Sequence, residues 1–447
     1  MSQNNRKVDI QSFIDAQPLS LLQKKIMWLC FVMVAIDGFD TVAIGFIAPA
    51  LKDEWGLKAT ELAPLFGSGL FGLMAGAMIF GPLADKLGRK PILISSVIIF
   101  GLATVFAAFS PNLPTLTVLR FITGLGLGGV MPNAIALTAE YAPTARRSQL
   151  VTMMFCGFTI GSALVGILSA QLLPYIGWHG MLLIGGIAAL LLVPVLMYFL
   201  PESIRFLIVK KQAVEKTERI ARKIAPVQTT IPTLIPFAHE SEESSWRNLF
   251  SKGYALGTFL IWIACFMSLL IIYMISSWMP ILLTNSSFNL SKASWLTTVF
   301  QIGGTISAVV LGLLMDKRDA IKILSAAYLL GALCLVGLGW VIQQANIILL
   351  TLSMFCVGGI CGTQVGLNAF TSGFYPTHCR ATGISWSNAV GRLGAAIGSV
   401  LGGWLMSLDL SSLEVMSLLA IPAILAAVAL LLIQGLKQEQ SIIPELS

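Results

Sequence analysis

Four ionisable residues stand where a chain this apolar carries little charge. Asp37 and Asp40 fall in an otherwise uncharged run from Ile26 to Leu51, and Arg120 and Arg392 interrupt two further apolar runs. A charge at the centre of a bilayer costs at least ~2.5 kcal/mol on insertion scales, so each needs a partner or a task. Asp37 and Asp40 are three residues apart and share one helical face. Burial and a like charge both raise a carboxyl pKa, which suits a group that loads and releases protons near neutral pH. Arg120 lies ~9 Å into its run and Asp40 ~16 Å in from the same side, within an arginine's reach. Snorkelling of Arg120 to the surface is the alternative. Arg392 falls near mid-membrane, and no acid in the later apolar runs neutralises it. Its fork suits a carboxylate, so it reads as a substrate anchor, with a fixed structural pair as the alternative. Glu140 closes its run and could pair with Arg146, Arg147 or Arg380, or belong to a proton exit path.

What positions these groups is a membrane frame. The chain has 447 residues, 56% of them hydrophobic and only 11% charged, where a soluble domain is about a quarter charged. Twelve apolar runs reach the ~20 residues a span needs. They lie at 26–51, 62–84, 91–111, 114–139, 148–173, 179–200, 253–283, 293–315, 320–342, 345–372, 381–407 and 411–435. Twenty-three of the 28 basic residues fall on the side of the termini and 3 on the other. This asymmetry predicts that both termini are cytoplasmic. It also explains the net charge of +7 as orientation rather than as a nucleic-acid footprint. No cleavable signal peptide is evident. The seven cysteines read as small apolar residues, and neither a disulfide nor a metal site is expected.

The runs divide six and six. The expected organisation is a cytoplasmic N-terminus (1–25), an N-terminal six-helix bundle (26–200), a cytoplasmic linker (201–252), a C-terminal six-helix bundle (253–435) and a cytoplasmic tail (436–447). The linker's "KKQAVEKTERIARK" reads as a surface helix. The halves repeat: "GPLADK" (81–86) precedes "GLLMDK" (312–317) by 231 residues, and "APTARR" (142–147) precedes "YPTHCR" (375–380) by 233. Internal symmetry of this kind marks transporters that rock around a site near the midplane. Asp37, Asp40, Arg120 and Arg392 have no counterparts in the other half, so asymmetric chemistry sits on a symmetric frame.

"GPLADKLGRKP" (81–91) closely resembles the loop motif of the major facilitator superfamily, "RFITGLGLGG" (120–129) its fourth-span motif, and "PESIRFL" (201–207) its sixth-span ending. Within it, "DGFD" (37–40) is similar to the aromatic acid:proton symporter family. The resemblance covers essentially the whole chain. It implies an all-α membrane fold of twelve helices in two pseudo-symmetric halves, in a bacterial inner membrane. It also implies import of an aromatic carboxylate, first a hydroxybenzoate such as 4-hydroxybenzoate or protocatechuate. A carrier of another organic anion (muconate, phenylpropionate), or of a sugar or drug, is the alternative. The resemblance favours a proton-coupling role for Arg120. It also favours a cytoplasmic latch at Gly81, Asp85, Gly88, Arg89 and Lys90, with Asp316 in the second copy and Arg380 nearby. In that latch Asp85 would stabilise a helix N-terminus and Arg89 would pair with an acid.

Gly124, Gly126 and Gly129 fit G-x-G-x-x-G, but inside an apolar span they signal helix packing rather than a dinucleotide. Gly157/Gly161 and Gly394/Gly398 read the same way. Tyr273, Trp278, Phe300 and Trp386 are candidates to stack on an aromatic ring, although Trp and Tyr often mark membrane interfaces. Gln301 and Asn388 could bind a ring hydroxyl. His179, His239 and His378 lie at edges or in loops, and no catalytic constellation is found, so the chain reads as a carrier rather than an enzyme. The expected partners are a small aromatic acid, protons and lipid, with no other cofactor, and a monomer is the expected working unit.

Overall fold

The computed structural model describes residues 7–209, 214–225, 233–235, 249–250, 254–286, 288–344, 346–375, 380–408 and 410–442. A short strand β1 (Lys7–Asp9) and helix α1 (Ile10–Asp15) lead into α2 (Leu21–Trp55), α3 (Ala59–Leu87), α4 (Arg89–Ala107) and α5 (Leu113–Tyr141). Next come α6 (Arg147–Phe199), α7 (Ile204–Val209), α8 (Val214–Ile224) and strand β2 (Thr233–Ile235). The remaining helices are α9 (Ala255–Asn285), α10 (Leu290–Met315), α11 (Ala320–Gln344), α12 (Ile347–Phe374), α13 (Arg380–Met406) and α14 (Ser412–Ile442). Eleven of the described helices are long and apolar enough to cross a membrane. The 53-residue α6 is two spans in one, because Gly177 breaks it at φ 64°. Only glycine adopts that conformation cheaply. The count is therefore the twelve that the sequence predicts.

Two compact units form. One comprises Met1–Thr41, Phe71–Gly161 and Leu182–Glu243, the other Val42–Leu70, Ser162–Met181 and Ser244–Ser447. Their borders cut through α2, α3 and α6, so compactness groups the chain differently from the sequence repeat. In the first unit, Gly157 and Gly161 of α6 lie against the backbone of Phe31 and Ala35 in α2, with no room for a Cβ. In the second, Gly394 and Gly398 of α13 lie in the same way against Phe266 and Leu270 of α9. The small-residue spacing thus does what it does in membranes generally: it lets two backbones touch.

The second unit carries a seam at the end opposite the termini. Gly45 of α2 abuts the Ser276 carbonyl, and Gly166 of α6 abuts the Thr298 side chain. The Ser291 hydroxyl donates to the Ala170 carbonyl at 2.6 Å. The Phe66 ring meets the Trp278 indole edge-on, 4.8 Å between centroids. Ends of α2, α3 and α6 are here in direct contact with α9, α10 and α13. Nearby, the Trp178 indole donates to Glu54 at 2.8 Å and stacks on His179.

The first unit holds a feature the all-α expectation misses. Lys7–Asp9 pairs in parallel with Thr233–Ile235. Strands of three residues carry no alternation to read. α1 follows, with Asp9 capping it through Ser12 N–H. Ile10, Phe13 and Ile14 of α1 are buried in one core with Ile26, Tyr141, Leu200 and Ile204. The amphipathic α8 buries Ala221 and Ile224 there and exposes Lys216, Arg219, Arg222 and Lys223, as its sequence predicts.

Asp15 fastens α1 to the α5–α6 turn. Its two oxygens accept from the Thr144 N–H and the Thr144 hydroxyl, both at 2.7 Å, and Gln11 adds a third bond at 3.0 Å. Partial burial opposes its charge, but the Thr144 and Gln11 hydrogen bonds and the Arg147 charge outweigh it and hold the pKa below its ordinary 3.8. A depressed carboxyl stabilises the fold fully above its ordinary pKa, and the contribution is lost as pH falls through the lowered value. Exchange protection of the α1 amides should therefore hold at about pH 5 and fall below about pH 4. Asp15→Asn should show lower protection without that step. Hydrogen exchange read by mass spectrometry decides it, and a flat wild-type profile would refute the role of Asp15.

Candidate functional site

The first unit gathers a buried charge cluster. Asp40 and Arg120 are 2% and 4% exposed, and Arg120 Nη1 donates to Asp40 Oδ2 at 3.0 Å. The pair forms because α2 and α5 present these residues at matching depth, and burial rules out snorkelling. Asp40 Oδ1 accepts from the Thr104 hydroxyl of α4 at 3.0 Å, which in turn lies 3.4 Å from the Thr123 hydroxyl. Arg120 Nε and Nη2 are buried and have no hydrogen-bond partner among the described residues. Asp37, also buried, accepts from the Thr41 hydroxyl one turn on at 3.1 Å. Asp40 is thus in an ion pair with Arg120, and Asp37 accepts a hydrogen bond from within its own helix.

The same unit holds a second network at the end carrying the termini. Gly88 has φ 105° and caps α4. Its neighbours' N–H groups, those of Arg89 and Lys90, donate to Glu202 Oε1 at 2.8 and 3.2 Å. An anion at a helix N-terminus satisfies otherwise unpaired donors and opposes the helix dipole. Arg89 pairs with Asp85 at 3.3 Å and with Glu140 at 3.1 Å, and also donates to Asn133 at 3.1 Å. Glu140 also accepts from the Ser203 hydroxyl. Lys90 donates to the Met197 carbonyl at 2.7 Å, and the Tyr141 hydroxyl to the Glu202 carbonyl at 2.6 Å.

Two expectations change here. The carboxylate stabilising the helix N-terminus is Glu202, with Asp85 turned instead to Arg89. The partner of Glu140 is Arg89 rather than Arg146 or Arg147. Glu202, Ser203 and Asn133 were missed as participants. The "PESIRFL" stretch was the available signal, but it names no partner. Gly81 has open space around it. In the second copy Asp316 is an exposed C-cap of α10, and Asp319 caps α11 through Ile321 N–H at 2.9 Å. Arg380 opens α13, and its side chain, like His378 and His239, lies outside the described residues.

In the second unit Arg392 is partly buried on α13, with Asn388 one turn before it. Tyr273 packs beside Leu70, Ala395 and Ala396. Gln301 is 7% exposed and donates to the Ser276 hydroxyl at 3.3 Å. Trp386 is 44% exposed and stacks on Trp262, 5.7 Å between centroids. Trp278 is a correction. It is 2% exposed, its indole N–H donates to the Ser399 carbonyl at 2.7 Å, and Gly402, Gly403 and Phe66 cover its ring. No face is left for a ligand, so it is a packing residue of the seam. Phe300, fully buried, is likewise core. Among the described residues no cluster of His, Cys, Asp and Glu could hold a metal ion.

Twelve spans, a repeated half and buried unlike charges define a membrane carrier. The chain belongs to the Major Facilitator Superfamily, whose sequence profile matches residues 30–399 and 286–442. It is 41% identical over 433 residues to the 4-hydroxybenzoate transporter PcaK of Pseudomonas aeruginosa, covering 95% of this chain and 96% of that one. It is 41% identical over 429 residues to a gallate transporter of Pseudomonas putida, covering 95% and 94%. The inward-open xylose transporter XylE of Escherichia coli superposes with a TM-score of 0.71 at 18% identity, covering 91% of this chain and 95% of that one. That likeness speaks for the fold alone. The protein is thus a multi-pass inner-membrane transporter and not an enzyme.

Proposed function

We propose that this protein imports a hydroxylated aromatic carboxylate together with protons by alternating access. The observation that carries the reading is the whole-length similarity to carriers named for 4-hydroxybenzoate and gallate. The buried Asp40–Arg120 pair supports a coupling mechanism. With both termini cytoplasmic, the six-helix halves 26–200 and 253–435 would rock about a midplane site, joined by the linker 201–252. The protein would work as a monomer.

An aromatic acid is an anion at neutral pH. Moving it against a negative interior costs ~2.3 kcal/mol per charge per 100 mV. One accompanying proton cancels that charge, and a second lets the potential drive uptake. Arg392, with Tyr273, Gln301, Trp386 and Asn388, would bind the acid. Asp37 and Asp40 would exchange the protons. Protonating Asp40 removes the charge that holds Arg120, which changes what that guanidinium attracts. Arg89, with Asp85, Glu140 and Glu202, would latch the cytoplasmic side.

The test is flux. Proteoliposomes with a neutral lumen and an acidic exterior should accumulate labelled 4-hydroxybenzoate, and a protonophore should abolish the accumulation. Uptake indifferent to the pH gradient would refute symport. Vesicles that accumulate a sugar or a cationic drug but no aromatic acid would refute the substrate class.

A further inference from the structure

A level of the second unit, about halfway through the membrane, holds an amide whose oxygen accepts no hydrogen bond among the described residues. Gln364 lies ten residues before the end of α12 at Phe374 and is 6% exposed. Its Nε2 donates to Asn368 Oδ1 at 3.2 Å, one turn on. Its Oε1 is buried with no hydrogen-bond partner among the described residues. Buried amide oxygens are nearly always satisfied, and an orphan is costly enough to call for an explanation. Gln301, by contrast, already has Ser276.

The neighbourhood says which group could supply the donor. The Gln364 side chain is within hydrogen-bond reach of the Cys265 thiol of α9, a weak donor at best, and its Oε1 stays without a partner among the described residues. Cys265 is ten residues after the start of α9 at Ala255. At 1.5 Å per residue both lie ~15 Å from the end that carries the termini. Gly391 of α13 packs on the same residue: a Cβ there would lie 3.6 Å from Cys265 Cβ. The next residue is Arg392, ~18 Å from the same end. Cys265 thus neighbours both Gln364 and Gly391, the residue before Arg392. Ser268, one turn along α9, is within hydrogen-bond reach of the Tyr328 hydroxyl.

We infer that Gln364 is a specificity-determining residue whose side-chain oxygen accepts the ring hydroxyl of a hydroxylated aromatic carboxylate. The inference rests on the functional reading above. Asn368 positions the amide by taking its N–H, which leaves the oxygen as the acceptor. A phenolic O–H supplies the missing donor, and an unsubstituted ring cannot. A site built to bond a hydroxyl discriminates strongly against the analogue that lacks it, because its own polar group is then left unpaired. Gln364 therefore acts on the ratio between two acids and not on transport as such.

The experiment measures kcat/KM for 4-hydroxybenzoate and benzoate in the same proteoliposomes. Wild type should prefer 4-hydroxybenzoate. Gln364→Leu should lower that preference about tenfold, through loss of 4-hydroxybenzoate uptake with benzoate uptake retained. Asn368→Leu, which frees the amide to turn, should lower it in the same direction. Benzoate flux in each variant reports that the protein is folded. If Gln364→Leu carries neither acid, Gln364→Met, closer in shape, takes its place with the same criterion. A variant that keeps the wild-type preference overturns the assignment of Gln364, as does a wild type with no preference. Wild-type vesicles that accumulate neither acid overturn the functional reading itself, a different and recognisable failure.

Discussion

Arg392→Ala will lower the kcat/KM for 4-hydroxybenzoate about a hundredfold or more. The residue lies twelve positions into α13 and is partly buried. Truncating one partner of a desolvated charge pair removes the attraction and leaves the other charge unmatched, which is why the loss is large. Arg392→Lys keeps the charge but not the fork and should recover only part of the rate. Counterflow separates the cases: labelled acid exchanging against unlabelled needs binding and rocking but no proton gradient. Arg392→Ala should fail in counterflow as well as in driven uptake. If counterflow by Arg392→Ala matches wild type, the carboxylate is held elsewhere.

Asp40→Asn will abolish driven accumulation while counterflow persists. The amide imitates a permanently protonated carboxyl, so the carrier loses its means of exchanging that proton. The danger is to folding: breaking a buried ion pair costs ~3–5 kcal/mol because the remaining charge is stranded. Here the stranded group would be Arg120, whose ionic partner among the described residues is Asp40 at 3.0 Å. Asp40→Asn with Arg120→Gln removes both charges and should restore expression and thermal stability without restoring accumulation. A single variant that still concentrates the acid under a pH gradient would take Asp40 out of the coupling mechanism.

The residues show how far such a site can be read before its fold is known. The Asp40–Arg120 pair follows from two depths along two apolar runs, since a charge in hydrocarbon leaves few choices of partner. The mirrored glycine contacts on α2 and α9 follow from spacing, since only packing uses small residues four apart. Gln364 looks like any polar residue in a span, and its orphaned oxygen is a matter of angles. Trp278 was misread because residue type does not say which way a ring points. What buries it, Gly402 and Gly403, comes over 120 positions later. The role of Glu202 was hidden for a similar reason. It bonds the backbone of Arg89, 113 positions away, and backbone donors leave no trace in side-chain patterns.

The pairing of β1 with β2 sets a timetable. During synthesis the N-terminal residues emerge first, yet Lys7–Asp9 has no strand to join until Thr233–Ile235 has left the ribosome. Part of the seat of α1, Tyr141 and Thr144, is available earlier. The start of the chain is therefore docked in two stages, and the second can close only after the first six spans have been made. A nascent chain stalled before residue 233 would keep that strand open, a marker by which incomplete copies differ from finished ones.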